Sequence, residues 1–319
     1  MNQDYHDLPF AVTRIDTHYL RPEMTAAYLL VEKGCAAFIE TGPLLAVPRL
    51  MGALDRAGLD ENAVKAIIVT HVHLDHAGGA GELMRLCPQA KLYVHPLGAP
   101  HLIDPTRLKA SAILVYGEKG FKESLGDIVA TPESRVVTPV DGDTVEIGGR
   151  TLTFFDTPGH ARHHFSVWDE TSRGIFTGDV FGLSYRDFDG GDLPFIFPAT
   201  TPTQLDPAAF HLSMDRLAAL KPDTLYLTHF DAIPYQPALL KSLHEQLDHY
   251  LVLAKKNRNQ GVSDHQQLSS DLEEYMCDML EKIHAPNPDL ARSLLGPDRE
   301  INAQGLEIWL ERSEKHEKQ

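Results

Sequence analysis

Cysteine is scarce: Cys35, Cys87 and Cys277 are the three in 319 residues, an odd number at wide spacing. That excludes a disulfide framework and the short Cys pairs of a zinc ribbon, and it points to a reducing compartment. Positive charge is also short, with 29 Lys and Arg against 45 Asp and Glu, a formal charge of -16 at pH 7. Such a field repels phosphate backbones and anionic lipid surfaces, so neither nucleic acid nor membrane is expected as a partner. No apolar run approaches the ~18 residues of a membrane span. The first residues, Met1 to Asp7, carry acids where a secretory leader needs a basic region followed by an apolar run. The expected location is cytoplasmic. Blocks of like charge, low-complexity segments and long repeats are missing too, which leaves an ordinary globular composition of 43% hydrophobic and 23% charged residues.

Up to about Tyr235, short β-branched and aromatic runs alternate with Gly and Pro, the texture of many strands and a few helices. Strands are expected at 27–31, 36–40, 66–70, 91–95, 151–157, 165–169, 174–177 and 224–228, and helices at 48–57, 79–87 and 207–220. Beyond Pro237 apolar residues recur at helical spacing (239, 243, 247, 250, 251, 254, then 268, 272, 275, 276, 279, 280, 283). The chain is therefore read as a domain over 1–235 and a helical extension over 236–319, with three or four helices punctuated by Pro286, Pro288 and Pro297. Packing is the first role assigned to that extension, and a homodimer stays open. One short echo stands out: Ile67-Ile68-Val69-Thr70-His71 and Leu225-Tyr226-Leu227-Thr228-His229 both read as a buried strand ending in Thr-His.

Chemistry concentrates in Thr70-His71-Val72-His73-Leu74-Asp75-His76-Ala77-Gly78-Gly79. In extended backbone 71, 73 and 75 point to one side, and His76 joins them only if the chain turns, which Gly78 and Gly79 allow. Three imidazoles and a carboxylate suit zinc, iron or manganese, and four donors exceed what one catalytic ion takes from one short segment. Two ions are therefore expected. Three further donors each follow a predicted strand: His160, Asp179 and His229. Loops at one end of a sheet converge on a shared crevice, so donors at four strand ends can meet.

The pattern His71-x-His73-x-Asp75-His76, then His160, Asp179 and His229, resembles the metallo-β-lactamase-fold hydrolase superfamily over residues 20–235. The resemblance implies an α+β fold, a four-layer αββα sandwich, with the helical C-terminal extension outside the common core. It implies that residues 1–235 are the catalytic domain. It further implies that His71, His73 and His160 hold one divalent ion, that Asp75, His76 and His229 hold the second, and that Asp179 bridges them. Zinc is the first expectation, with iron and manganese as alternatives. The implied activity is hydrolysis of a small ester, lactone or thioester by a metal-bridging hydroxide, with Asp75 as the proton-handling catalytic residue. The competing readings are a mononuclear iron oxygenase similar to persulfide dioxygenases and a ligand-binding member without catalysis.

Subtype is less legible. Glyoxalase II enzymes carry a Cys-Gly-rich aromatic stretch after the bridging Asp, whereas Val180-Phe181-Gly182-Leu183-Ser184-Tyr185-Arg186-Asp187-Phe188 departs from it. Quorum-quenching lactonases place a Tyr where this chain has Gly182. Phe181, Tyr185 and Arg186 are the substrate-binding candidates, Tyr185 as a hydroxyl donor and Arg186 as a partner for a carboxylate. His163 and His164 are expected to orient the ligands rather than to bind metal.

Overall fold

The computed structural model describes residues 4–201, 203–259 and 264–317. Among these residues thirteen strands lie in two sheets. The first sheet has the order β1 (Tyr5–Leu8), β2 (Val12–Asp16), β3 (Ala26–Glu32), β4 (Cys35–Ile39), β5 (Val64–Ile68), β6 (Lys91–Tyr93) and β7 (Val136–Val137). It is antiparallel from β1 to β4 and parallel from β4 to β7. The second sheet runs β13 (Asp231–Pro234), β12 (Thr224–Leu227), β11 (Gly174–Gly178), β10 (Phe165–Asp169), β9 (Arg150–Asp156) and β8 (Thr144–Ile147). All its pairs are antiparallel except β11 with β12.

The central strands read as continuous apolar runs because both faces are covered. Ala27, Leu29 and Phe38 share a cluster with Val47, Leu50 and Leu54 of α1 (Val47–Arg56). Tyr28, one residue out of phase with Ala27 and Leu29, reaches the other sheet: its ring lies 5.4 Å from Phe176 and 5.5 Å from Tyr226, and its hydroxyl donates to the Leu227 carbonyl at 2.5 Å. Alternation along one strand thus builds two core layers. Short helices follow in the connections: α2 (Leu74–Ala77), α3 (Ala80–Leu86), α4 (Ala99–Ile103) and α5 (Thr106–Ser124).

The chain divides into two compact units. The first comprises 1–156, 163–178 and 221–234, and so contains both sheets. The second gathers 157–162, 179–220 and 235–319: α6 (Pro207–Ala219), α7 (Pro237–Asn259), α8 (His265–Lys282), α9 (Pro288–Leu294) and α10 (Gly296–Glu317). This division does not follow the 235/236 boundary expected from the sequence, because the segment after Asp179 is bonded to the C-terminal helices. Gln246 of α7 donates to the Ile196 carbonyl at 2.6 Å, and Asn302 of α10 accepts from the Thr200 N–H at 2.7 Å. Gly305 fits against the Thr200 carbonyl, which a Cβ there would meet at 1.6 Å. The extension has four described helices, and the prolines sit where expected, with Pro288 following the Asn287 N-cap. Among the described residues no helix is long and apolar enough to cross a membrane.

Candidate metal centre

The segment from His71 is not extended throughout. His73 has extended dihedrals and occupies the N-cap position of the one-turn helix α2, so Asp75 and His76 sit in that turn. The turn therefore comes at Leu74, ahead of the glycines. Gly78 and Gly79 serve close approach instead: a Cβ on either would fall 3.1 Å from Pro43 Cα or from the Thr41 carbonyl oxygen, respectively.

Within the sheet unit, His71 Nε2 and His73 Nδ1 face each other at 2.8 Å. His229, two residues beyond β12, brings its Nε2 to 3.2 Å from Asp75 Oδ2, and His76 Nε2 lies 3.7 Å from the same oxygen. Asp75, His76 and His229 offer three ligand atoms within 4.8 Å of one another. His71 and His76 are fully buried and the Asp75 side chain is 20% exposed, so the carboxylate is the member open to solvent. Two buried imidazoles and a carboxylate at this spacing fit a divalent ion. In the second unit, His160 and Asp179 are both buried and pair at 3.4 Å through His160 Nε2, while His160 Nδ1 meets the Ala199 carbonyl at 2.9 Å. That second bond fixes Nδ1–H and leaves Nε2 as the ligand atom.

The residue that sequence reasoning missed is Glu40. It is 1% exposed and adopts φ 64, a left-handed conformation costly for a side chain of this kind. Its carboxylate accepts from the Thr70 hydroxyl (2.5 Å), the Thr70 N–H (3.2 Å) and the Thr228 hydroxyl (3.3 Å), and it meets His76 Nδ1 at 3.1 Å. The Thr-His echo thus has a physical cause: the threonine ahead of His71 and the threonine ahead of His229 share one buried acceptor. The only signal was an acid closing an apolar strand in Ile39-Glu40-Thr41-Gly42. Thr41 adds a second tether, since its hydroxyl donates to the His76 carbonyl at 2.8 Å.

His163 and His164 pack beside His71, their ring centroids 6.2 and 5.1 Å away. Gly178 admits His164: a Cβ there would sit 2.4 Å from His164 Nε2, and the backbone has φ +53. An apolar cavity of about 270 Å³ lies between Pro96, Val140, Phe154 and Phe165, with His95 and Asp156 paired at 3.1 Å on its rim. Burial pushes the His95 imidazole down, and Asp156 opposes that. The Phe165 N–H donates to the Thr70 carbonyl, which ties this cavity to the strand end carrying His71.

The three substrate-binding candidates have protein partners. Phe181 is fully buried against Tyr235, Tyr185 is buried with its hydroxyl donating to Asp298 at 3.1 Å, and Arg186 pairs with Asp189 at 3.1 Å.

The sequence profile of the metallo-beta-lactamase superfamily matches residues 20–229. The chain belongs to that superfamily. It is 29% identical to the metallo-beta-lactamase fold-containing protein ST1585 of Sulfurisphaera tokodaii over 212 residues, 65% of this chain and 73% of that protein. The solved structure of ST1585 superposes with TM-score 0.61 at 24% identity, covering 76% of this chain and 86% of that one. A hydroxyacylglutathione hydrolase of Cupriavidus taiwanensis is 30% identical over 61% of this chain and 59% of its own length. The acyl-coenzyme A thioesterase MBLAC2 of Bos taurus is 30% identical over 40% of this chain and 45% of its own. The chain thus spans about half the length of these two named hydrolases.

Proposed function

We propose that the protein is a metal-dependent hydrolase of a small ester, lactone or thioester, with the thioester first in order. The observation that carries the reading is the largely buried donor set at the strand ends. His71, His73, His160 and Asp179 would hold one ion, and Asp75, His76 and His229 a second. Bound divalent ions supply a water acidic near neutrality and a positive charge for the carbonyl oxygen. The chain supplies the rest. Glu40 and the two threonines keep His71, His76 and His229 aimed. Asp75 Oδ2, the most exposed carboxylate oxygen among them, takes the proton from the attacking water and returns it to the leaving group. A relative named as an acyl-coenzyme A thioesterase, beside one named as a hydroxyacylglutathione hydrolase, supports the thioester as the first substrate class. The departure of residues 180–188 from the glyoxalase II pattern favours acyl thioesters other than those of glutathione.

The test is metal content together with thiol release from a panel of acyl thioesters, beside lactones and simple esters. About two zinc, manganese or iron ions per chain and thioester turnover are expected, both lost in the His71→Ala, Asp179→Ala double variant. One iron per chain with oxygen uptake on a persulfide would overturn the reading in favour of an oxygenase. A metal-loaded protein inert on the whole panel would reject hydrolysis of these classes.

A further inference from the structure

A second group of metal-ligating side chains lies wholly within the helical unit. Helix α6 carries His211 and Asp215, and α7 carries His244 and Asp248, each pair four residues apart and so on one face of its helix. The pairs interlock crosswise. His211 Nε2 lies 3.2 Å from Asp248 Oδ1, and His244 Nε2 lies 2.9 Å from Asp215 Oδ1. The two rings stack, 15° from parallel with centroids 4.8 Å apart, and their Nδ1 atoms meet at 2.5 Å.

Proton placement follows from these contacts. The His244 imidazole presents Nε2–H to Asp215, so its neutral ring has a lone pair, not a proton, at Nδ1, while His211 Nε2 lies within ion-pair distance of Asp248. The His244 lone pair thus faces His211 Nδ1 across 2.5 Å, and with the His211 proton held at Nε2 by Asp248 both lone pairs converge on one point, where a cation can be shared. Carboxylate–imidazole pairs whose free nitrogens converge are the second layer of many transition-metal sites. The two aspartates place two negative charges around that point, their side chains 60% and 70% exposed, while the imidazoles are about a quarter exposed. A cation can therefore enter from solvent.

We propose that His211 and His244 bind a divalent first-row transition-metal ion, zinc or copper, through their Nδ1 atoms, with Asp215 and Asp248 fixing the tautomers. Two imidazole nitrogens suit these ions better than calcium or magnesium, which take oxygen ligands. At Zn–N of about 2.0–2.1 Å in tetrahedral geometry the nitrogens stand about 3.3 Å apart, so the rings part by under about 1 Å on loading. The site goes beyond the hydrolase reading and uses none of its donors. Its structural effect is to clasp α6 to α7. Helix α6 in turn backs the segment leading to His160, because Ser213 donates to the Pro158 carbonyl at 2.6 Å and a Cβ on Gly159 would fall 2.3 Å from Phe210 Cα.

The experiment uses the full chain already loaded with its tightly bound metal, titrated with zinc chloride alone and then dialysed. Wild type should retain one more zinc per chain than the His211→Gln, His244→Gln double variant. Asp215→Asn and Asp248→Asn, which keep both imidazoles, should each weaken that zinc about 10- to 100-fold. Copper(II) in place of zinc should give an electron paramagnetic resonance spectrum with hyperfine structure from two nitrogens, absent in the double variant. Far-ultraviolet circular dichroism verifies that the variants fold, and the aspartate variants test the proposal even if the double variant does not. Equal zinc content and affinity in wild type and all variants would overturn it. So would a shared imidazole proton, seen as coupling between the two Nδ1 nuclei by nitrogen-15 resonance, that persists unchanged in saturating zinc.

Discussion

Arg150 and Asp169 of the sheet unit are 1% and 0% exposed in their side chains, whereas the pairs that join helices of the second unit, Arg258 with Glu314 and His265 with Glu300, are roughly a third exposed or more. The buried pair is also saturated. Arg150 Nε donates to Asp169 at 2.9 Å, a second guanidinium nitrogen donates to the same carboxylate, and a third reaches the Phe10 carbonyl at 2.5 Å, while Ser172 donates its hydroxyl to Asp169. Glu40 repeats the theme beside His76. At these two places the sheet unit holds its charged groups buried and hydrogen-bonded. The ion pairs of the helical unit named above face water, where they hold geometry but add little free energy each.

Breaking the buried pair should give the largest effect. Asp169→Ala leaves the Arg150 guanidinium buried without its counter-charge, and the unfolding free energy should fall by about 3–5 kcal/mol in denaturant titration. Arg258→Ala should leave the midpoint nearly unchanged. Comparable losses in the two variants would erase the contrast between the units. Replacing both members with apolar residues, Arg150→Met and Asp169→Leu, should recover part of the loss, since no charge is then stranded.

The second test asks whether the interior network serves the donors as well as the fold. Glu40→Gln keeps the shape but loses the carboxylate that orders Thr70, Thr228 and His76. Metal affinity should fall about 10- to 100-fold, read by competition with a chromophoric chelator. A stability loss with unchanged affinity would confine Glu40 to packing.

The same contrast explains what was legible in the sequence. Residues 165–169 form the strand expected, and the other seven expected strands lie within two residues of their observed ends, because strands buried on both faces leave unbroken apolar runs. The edge strands Tyr5–Leu8 and Thr144–Ile147, with half their residues exposed, left no such run. Helix α5 was missed for a related reason: Leu114, Val115 and Tyr116 stand in solvent and Gly117 breaks its dihedrals, so its apolar residues follow no single face. At the site, metal-donor types at fixed spacing are visible in one dimension. Glu40 was not, because its role depends on residues 30 and 188 positions away. The partner of Tyr185 was equally hidden, because its hydroxyl donates to Asp298, 113 residues on.

The smallest effect, and the finest probe of the contrast, is pH dependence in the helical unit. His265, at the start of α8, meets Glu300 of α10 at 2.5 Å and Glu307 at 2.9 Å. Bonding to Glu300, then to Glu307, raises the imidazole above its ordinary value near 6.5, and bonding to His265 lowers Glu300 below 4.5. A raised folded-state value means that the native chain holds the histidine proton more tightly than the unfolded chain. This contribution is complete below about pH 6.5 and is lost as pH rises through the raised value. The Glu300 contribution has the opposite sense, complete above about 4.5 and lost as pH falls through its lowered value. Their overlap therefore stabilises the α8–α10 contact most between about pH 4.5 and 6.5. Thermal unfolding of wild type and His265→Gln should differ most in that window and converge at alkaline pH. The gap should also narrow in high salt, because these groups face water. A gap that widens above pH 8, or ignores salt, would mean that His265 acts as a neutral, buried group, and the helical unit would then resemble the sheet unit in how it holds its charges.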